Sequence, residues 1–217
     1  MILSGDDVRV ALPLFQGACG GANPTSPLQE FRVYPVNRKK IVWFIEKYHY
    51  SHNMVGVKDG FCFALKDKNL LIGAMVFGQP ATRGVDKHYG GKGNVVEIRR
   101  LVCIDNTPKN TESFFIGYVI RWLKKYTTYK TVLAYSDLEH GHTGVVYHAS
   151  NFKKVNQIPG AIKIEWNGRE YHDRSMRVKY NGRLKPFAEK LSTAYRNGEA
   201  KTKTTAGKNV WIYEIKR

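Results

Sequence analysis

Residues 95–126 decide the fold: VVEIRRLVCI (Val95–Ile104), a turn containing Thr107-Pro108, then TESFFIGYVIRWLKKY (Thr111–Tyr126). The first run is rich in β-branched residues and reads as a strand, with Glu97, Arg99 and Asn94 alternating against Val96, Ile98 and Arg100. Thr107 and Pro108 are the residue types of a helix N-cap and first helical position. The helix from Thr111 to Tyr126 carries Phe114, Phe115, Ile116, Tyr118, Val119, Ile120, Trp122 and Leu123. It is therefore apolar nearly all round and predicted to be deeply buried. A short strand, Thr131 to Ser136, and a short helix, His142 to Asn151, follow.

Upstream, Ile41, Phe44, Ile45, Tyr48 and His52 keep helical spacing, with Asn37 as N-cap. Two strand-like runs come next, Phe61 to Leu65 and Leu70 to Phe77, joined by a polar turn over 66–69, and then a Gly-rich basic loop from Gln79 to Asn94. Downstream, Asn167-Gly168 and Asn181-Gly182 are hairpin signals, Pro186 to Arg196 reads as a basic helix, and Val210 to Ile215 as a last strand. No internal repeat is visible. This order predicts an α/β (α+β) domain, a mixed sheet flanked by helices. We divide the chain into an N-terminal segment, 1–30, with loop composition over 16–30; a catalytic core, 31–160; and a basic C-terminal extension, 161–217, packed on the core.

The chain has 217 residues, enough to bury a core without disulfides or metals. Its charge is unusual: 35 basic against 18 acidic residues give +17. Such an excess repels itself in the folded state, so a polyanionic partner is expected, nucleic acid before a membrane surface. No basic amphipathic helix supports the membrane alternative. From Ala161 to Arg217 there are 14 basic and 6 acidic residues, so +8 of the charge sits there. Cys19, Cys62 and Cys103 lack C-x-x-C spacing, which predicts reduced thiols in a cytoplasm. Asp6 and Asp7 precede a short apolar run broken by Pro13, which argues against a signal peptide. No stretch approaches the ~20 apolar residues that span a bilayer.

Four constellations carry chemistry, each with a structural alternative. At the junction after Val95–Ile104, Lys109 and Ser113 stand in the first turn of the following helix, where free N–H groups and a cation suit a pyrophosphate; the alternative is a solvated helix start. Tyr135-Ser136-Asp137 ends a strand before the Gly-broken turn that leads to Tyr147. Asp137 suits a general base and Tyr147 a general acid; the alternatives are a turn cap and a core ring. Tyr48-His49-Tyr50-Ser51-His52 supplies two histidines at helical spacing, half a metal site, or a stacking platform for an extruded base, or a helix end packed on the core. The loop with Arg83, Lys87, Tyr89 and Lys92 suits phosphate contact, against the alternative of a floppy hairpin.

Together Tyr48-His49-Tyr50-Ser51-His52, Glu97-Ile98-Arg99-Arg100-Leu101, Tyr135-Ser136-Asp137 and Gly144-x-x-Tyr147-x-x-x-Asn151-Phe152 resemble the Mom family of phage DNA-modification proteins, which are similar to GNAT acyltransferases. The last piece is similar to the GNAT ending in which a tyrosine precedes Gly-Phe by four residues, with αL-tolerant Asn151 in place of the glycine. The resemblance implies a GNAT-like core that uses acetyl-CoA and converts adenine N6 in double-stranded phage DNA to its carbamoylmethyl form. That modification shields DNA from host restriction in the host cytoplasm. By the same resemblance, Asp137, Tyr147 and His49 would be catalytic, and Arg99, Arg100, Lys109 and Ser113 would hold the cofactor phosphates. Tyr48, Tyr50, Arg83, Lys87, Tyr89 and Lys92 are expected to contact DNA. Iron is implied as a further component, with His49 as a candidate ligand. The Q/R-x-x-G-x-G/A phosphate loop of acyltransferases is absent, and residues 105–110 stand in its place. Two rival readings remain: an N-acetyltransferase of another amine, and a non-catalytic DNA-binding anti-restriction protein.

Overall fold

A computed structural model describes residues 27–57, 60–82 and 84–217. The readings that rest on residues 1–26 (the two aspartates, Cys19, most of the Gly/Pro-rich segment) and on Arg83 lie outside the described residues. By compactness the chain forms two units. Of the described residues, the first comprises those up to Tyr135 with Gly144–Val155 and Val210–Arg217; the second, Ser136–Thr143 and Asn156–Asn209.

The strand expected at 95–104 forms β4 (Val95–Cys103) and anchors a seven-stranded sheet. Its other strands are β1 (Arg32–Pro35), β2 (Cys62–Asp67), β3 (Leu70–Gly78), β5 (Thr131–Asp137), β6 (Lys153–Ile158) and β12 (Lys208–Glu214). Their order is β1-β2-β3-β4-β5-β12-β6. The first four pair antiparallel, and β4 pairs parallel with β5, so the sheet is mixed as the sequence predicts. The β2–β3 turn is tighter than expected, two residues with Lys68 at φ 51°.

One face of the sheet is covered by α1 (Val42–Tyr48), whose Phe44 and Ile45 pack with Ala64, Ala74 and Val76. Asn37 does cap, but it caps a 3-10 turn (Arg38–Lys40) that precedes α1, accepting from the Lys39 N–H at 2.9 Å. α1 then ends at Tyr48, so the helix predicted through His52 is one turn too long. The other face is covered by α3 (Thr111–Tyr126), which is not buried all round as the sequence suggested. Phe115, Ile116, Val119, Ile120 and Leu123 form the buried stripe, while Arg121, Lys124 and Lys125 are exposed. The loop expected over 79–94 contains a short helix, α2 (Val85–Tyr89). A second short helix, α4 (Val145–Ala149), leads to Asn151, which takes the left-handed conformation (φ 62°) expected of it.

β1 and β6 were not legible in the sequence. Both are edge strands, and only Val33 of β1 and no residue of β6 is buried, so neither shows the apolar pattern that packing imposes.

The second unit has a three-stranded antiparallel sheet, β11-β7-β8, built from Lys201–Thr204, Ile162–Trp166 and Arg169–His172. It also has a hairpin of β9 (Lys179–Tyr180) and β10 (Arg183–Leu184), and helix α5 (Pro186–Arg196), which begins with proline as expected. Ile164, Leu191, Ala194 and Ala200 form its core. Both Asn-Gly pairs make two-residue hairpin turns, with Asn167 and Asn181 at φ 49° and their glycines also at positive φ.

Candidate functional site

The parallel ladder between β4 and β5 is short. It joins Val95, Val96 and Glu97 to Thr131, Val132 and Leu133, whereas β4 runs on to Cys103 and β5 to Asp137. The two strands therefore fork just beyond Glu97, at their carboxyl ends, where open α/β sheets bind ligands. On its other side β4 stays paired with β3, but the register jumps: Ile98 faces Phe77 while Arg100 faces Val76. Arg99 is thus an extra residue, a β-bulge. The bulge overturns the alternation read from the sequence: Leu101, not Arg100, continues the core row of Val96 and Ile98.

Glu97 sits at the fork and is only 5% exposed. Its carboxylate accepts the Ala81 N–H at 2.7 Å and lies 3.5 Å from Arg99 Nε. Buried acids are held charged by such partners. Arg99 also donates to the carbonyls of Gln79 and Gly56, at 3.4 and 3.3 Å. Arg100 turns elsewhere, to the Asn53 carbonyl at 3.0 Å, the Asn53 side chain at 3.3 Å and the Arg99 carbonyl at 2.7 Å. Both guanidinium groups are occupied by protein oxygens.

Three tyrosines share this neighbourhood. Burial pushes Tyr135 up to about 12, and the negative charge of Glu97 adds to the rise. Tyr147, on α4, is buried, and burial raises its pKa further still, helped by Tyr50 and Glu97. A phenol so raised keeps its proton at neutral pH and acts as a donor. The Tyr147 ring packs beside Phe152 and Trp211, with centroids 5.5 and 6.2 Å away, so it is a core ring as well as a candidate acid. Glu97 was not among the sequence-derived site residues. A lone carboxylate inside an apolar strand was the available signal.

His49 follows α1 and is 6% exposed. Its Nδ1 accepts the Ser51 N–H at 3.1 Å and lies 2.9 Å from Ser51 Oγ, which leaves Nε2 to carry the proton of the neutral ring. The ring stacks on Tyr50 at 4.3 Å. Because α1 has ended, His52 no longer shares a helical face with His49; it sits at φ 47° with Nδ1 3.0 Å from the Glu46 carbonyl. The paired-histidine reading is corrected accordingly. Among the described residues no group of three or more His, Cys, Asp or Glu is placed to hold a metal ion, so the implied iron has no support here.

Asp137 belongs to the second unit. Its carboxylate caps the 3-10 turn Leu138–His140 through the Glu139 N–H at 3.2 Å and pairs with Lys208 Nζ at 2.7 Å. At the start of α3, Lys109 is exposed, and Ser113 Oγ donates to the Asn110 carbonyl at 3.0 Å. Asn110 is left-handed, takes the N-cap position expected of Thr107, and makes no side-chain cap. The Thr111 N–H donates to the Pro108 carbonyl at 3.2 Å, and no Asn110 side chain caps the N–H groups of Glu112 and Ser113 that follow. Of the residues expected to meet DNA, Tyr48, Tyr50, Lys87 and Lys92 are exposed, while Tyr89 is half-buried against Val95 and Leu133.

The architecture is that of known acyltransferases. Arabidopsis thaliana NAA60 in complex with acetyl-CoA superposes with a TM-score of 0.51 at 12% identity, over 85% of this chain and 98% of that one. Spermidine N-acetyltransferase from Vibrio cholerae, in complex with CoA and spermine, gives 0.50 at 8% identity, over 86% and 96%. At such identities the likeness speaks for the fold. In sequence, the chain is 32% identical to the methylcarbamoylase mom of Escherichia phage Mu over 82 residues, 37% of this chain and 34% of the Mu protein, so the match spans about a third of that relative. The Mom protein family matches residues 30–213. With that much of its length matched, the chain belongs to the Mom protein family.

Proposed function

We propose that this protein is a GNAT-like transferase that modifies adenine N6 in double-stranded DNA to its carbamoylmethyl form, acting in the host cytoplasm against restriction. The observation that carries the reading is the β4–β5 fork, with buried Glu97 and two proton-holding tyrosines, in a chain of +17. A transferase of small neutral amines has no use for that charge, and a passive DNA binder has no use for the fork.

The start of α3, with Ser113 in its first turn and Lys109 just before the helix, fits the pyrophosphate of acetyl-CoA. When bound, that cofactor would supply the two carbons of the added group; acyl transfer alone would yield an N6-acetyl group, so the carbamoylmethyl product also requires a nitrogen donor and a two-electron oxidant as co-reactants. Arg99 and Arg100 shape the fork and contribute positive field; their donors are already engaged. Tyr147 Oη holds a proton for a developing anion. Asp137 is the base for the N6 amine, a poor nucleophile whose lone pair is delocalised into the ring, and Glu97 is the carboxylate already buried at the fork. A paired adenine must first leave the stack, at roughly a few kcal/mol, and exposed Tyr48 and Tyr50 beside His49 offer rings to receive it.

The test is chemical. DNA from cells expressing the protein is digested to nucleosides and weighed. The expected result is a heavier deoxyadenosine, absent with Asp137→Asn. Unaltered adenine with intact DNA binding would replace this reading with the non-catalytic one.

A further inference from the structure

From Arg174 to Lys185 the second unit carries five basic residues and no acid: Arg174, Arg177, Lys179, Arg183 and Lys185. Every residue from Arg177 to Phe187 is exposed. Within this run lie hairpin β9–β10, in which Tyr180 pairs with Arg183 and Lys179 with Leu184. Among the described residues only Arg177 of the five cations is in an ion pair, with Asp173. Tyr180 is 70% exposed at the tip, and Val178 and Leu184 are exposed too. A hairpin of two residues a side has no core of its own to explain those apolar groups.

The hairpin is nevertheless well defined. Its Asn181-Gly182 turn has both φ values positive, the Lys185 N–H donates to the Val178 carbonyl at 2.9 Å, and α5 directly after it is anchored by Ala188, Leu191 and Ala194. It is a preformed ribbon with cations along it and a ring at its end. Two-stranded ribbons fit a DNA groove, and cations without acidic partners suit phosphates.

We propose that hairpin β9–β10 is a DNA-contacting ribbon in which Lys179, Arg183 and Lys185 meet backbone phosphates and Tyr180 stacks on a base. This inference rests on duplex DNA being the substrate. It assigns to the second unit a grip on DNA that the fork residues do not supply.

The test uses the full chain and a fluorescein-labelled duplex, with binding followed by anisotropy at increasing NaCl. Each lost phosphate contact lowers the salt slope by roughly 0.9, so the triple variant Lys179→Gln, Arg183→Gln, Lys185→Gln is expected to lose a slope of about 2–3. Tyr180→Ala is expected to weaken binding about tenfold with the slope unchanged, since it removes a stack and no charge. A control triple variant, Lys124→Gln, Lys153→Gln, Lys154→Gln, removes the same charge from other exposed positions. Wild-type slope in the hairpin variant, or an equal fall in the control, would overturn the inference while leaving the adenine chemistry standing. No salt-dependent binding by the wild-type chain would overturn both. The substituted side chains are exposed, so all variants should melt with the parent, which circular dichroism checks.

Discussion

Gly144→Ala is expected to destabilise the protein by about 2–5 kcal/mol, the sum of two separable costs. Gly144 opens α4, the helix of Tyr147, at φ +94°, a conformation that costs an L residue roughly 1–2 kcal/mol. An added Cβ would also sit 2.4 Å from Trp211 Cε2 and Cζ2. The Trp211 ring is 6% exposed and packed beside Tyr147, so it cannot simply swing away. Overpacking of this kind adds roughly 1–3 kcal/mol. Gly56 supplies the control: it has φ +74° but nothing within 4 Å of its added Cβ, so Gly56→Ala carries the backbone cost alone. With a urea m-value of roughly 2–3 kcal/mol/M for a chain of this size, the midpoint should fall by about 0.7–2.5 M for Gly144→Ala and by about 0.3–1 M for Gly56→Ala, the Gly144 loss being roughly twice as large. Urea unfolding followed by Trp fluorescence measures both. Equal losses in the two variants would refute the close contact between Gly144 and the Trp211 ring. A loss below about 1 kcal/mol at Gly144 would refute the strained backbone as well. Displacing α4 also displaces Tyr147, so modification activity should drop at temperatures where the variant is still folded.

Glu97→Gln keeps an acceptor for Ala81 but removes the charge opposite Arg99, with the two side chains 6% and 12% exposed. Breaking such a pair from one side costs roughly 3–5 kcal/mol, and Tyr135 should titrate below its present value of about 12 once the nearby anion is gone. Absorbance of tyrosinate during an alkaline titration reads the shift, and an unmoved Tyr135 would place Glu97 outside the fork. Stability should also decline as pH rises from about 10 toward 12. Buried Tyr135 and Tyr147 hold their protons longer in the folded state, so the unfolded chain releases protons first and gains. Urea midpoints at stepped pH measure the decline, and Tyr147→Phe should flatten it.

The sequence by itself determined the elements whose identity is local. β4, α3 and β5 are legible as elements, the Asn-Gly turns are written in single residues, and the Gly144–Phe152 segment carries an Asn151 that is left-handed as expected. The start read at Thr107-Pro108 is overturned, since α3 begins at Thr111 with Asn110 at its N-cap position. What tertiary structure decided is where pairing partners come from. β1 and β6 became strands because a sheet edge offered them hydrogen bonds, without an apolar face of their own. The bulge at Arg99 exists only as a mismatch between β4 and β3, yet it turns Leu101 into the core and sends Arg100 to Asn53. Glu97 became the buried carboxylate of a fork because the β4–β5 ladder stops after three pairs, and a non-local register of that kind leaves no mark on either strand alone.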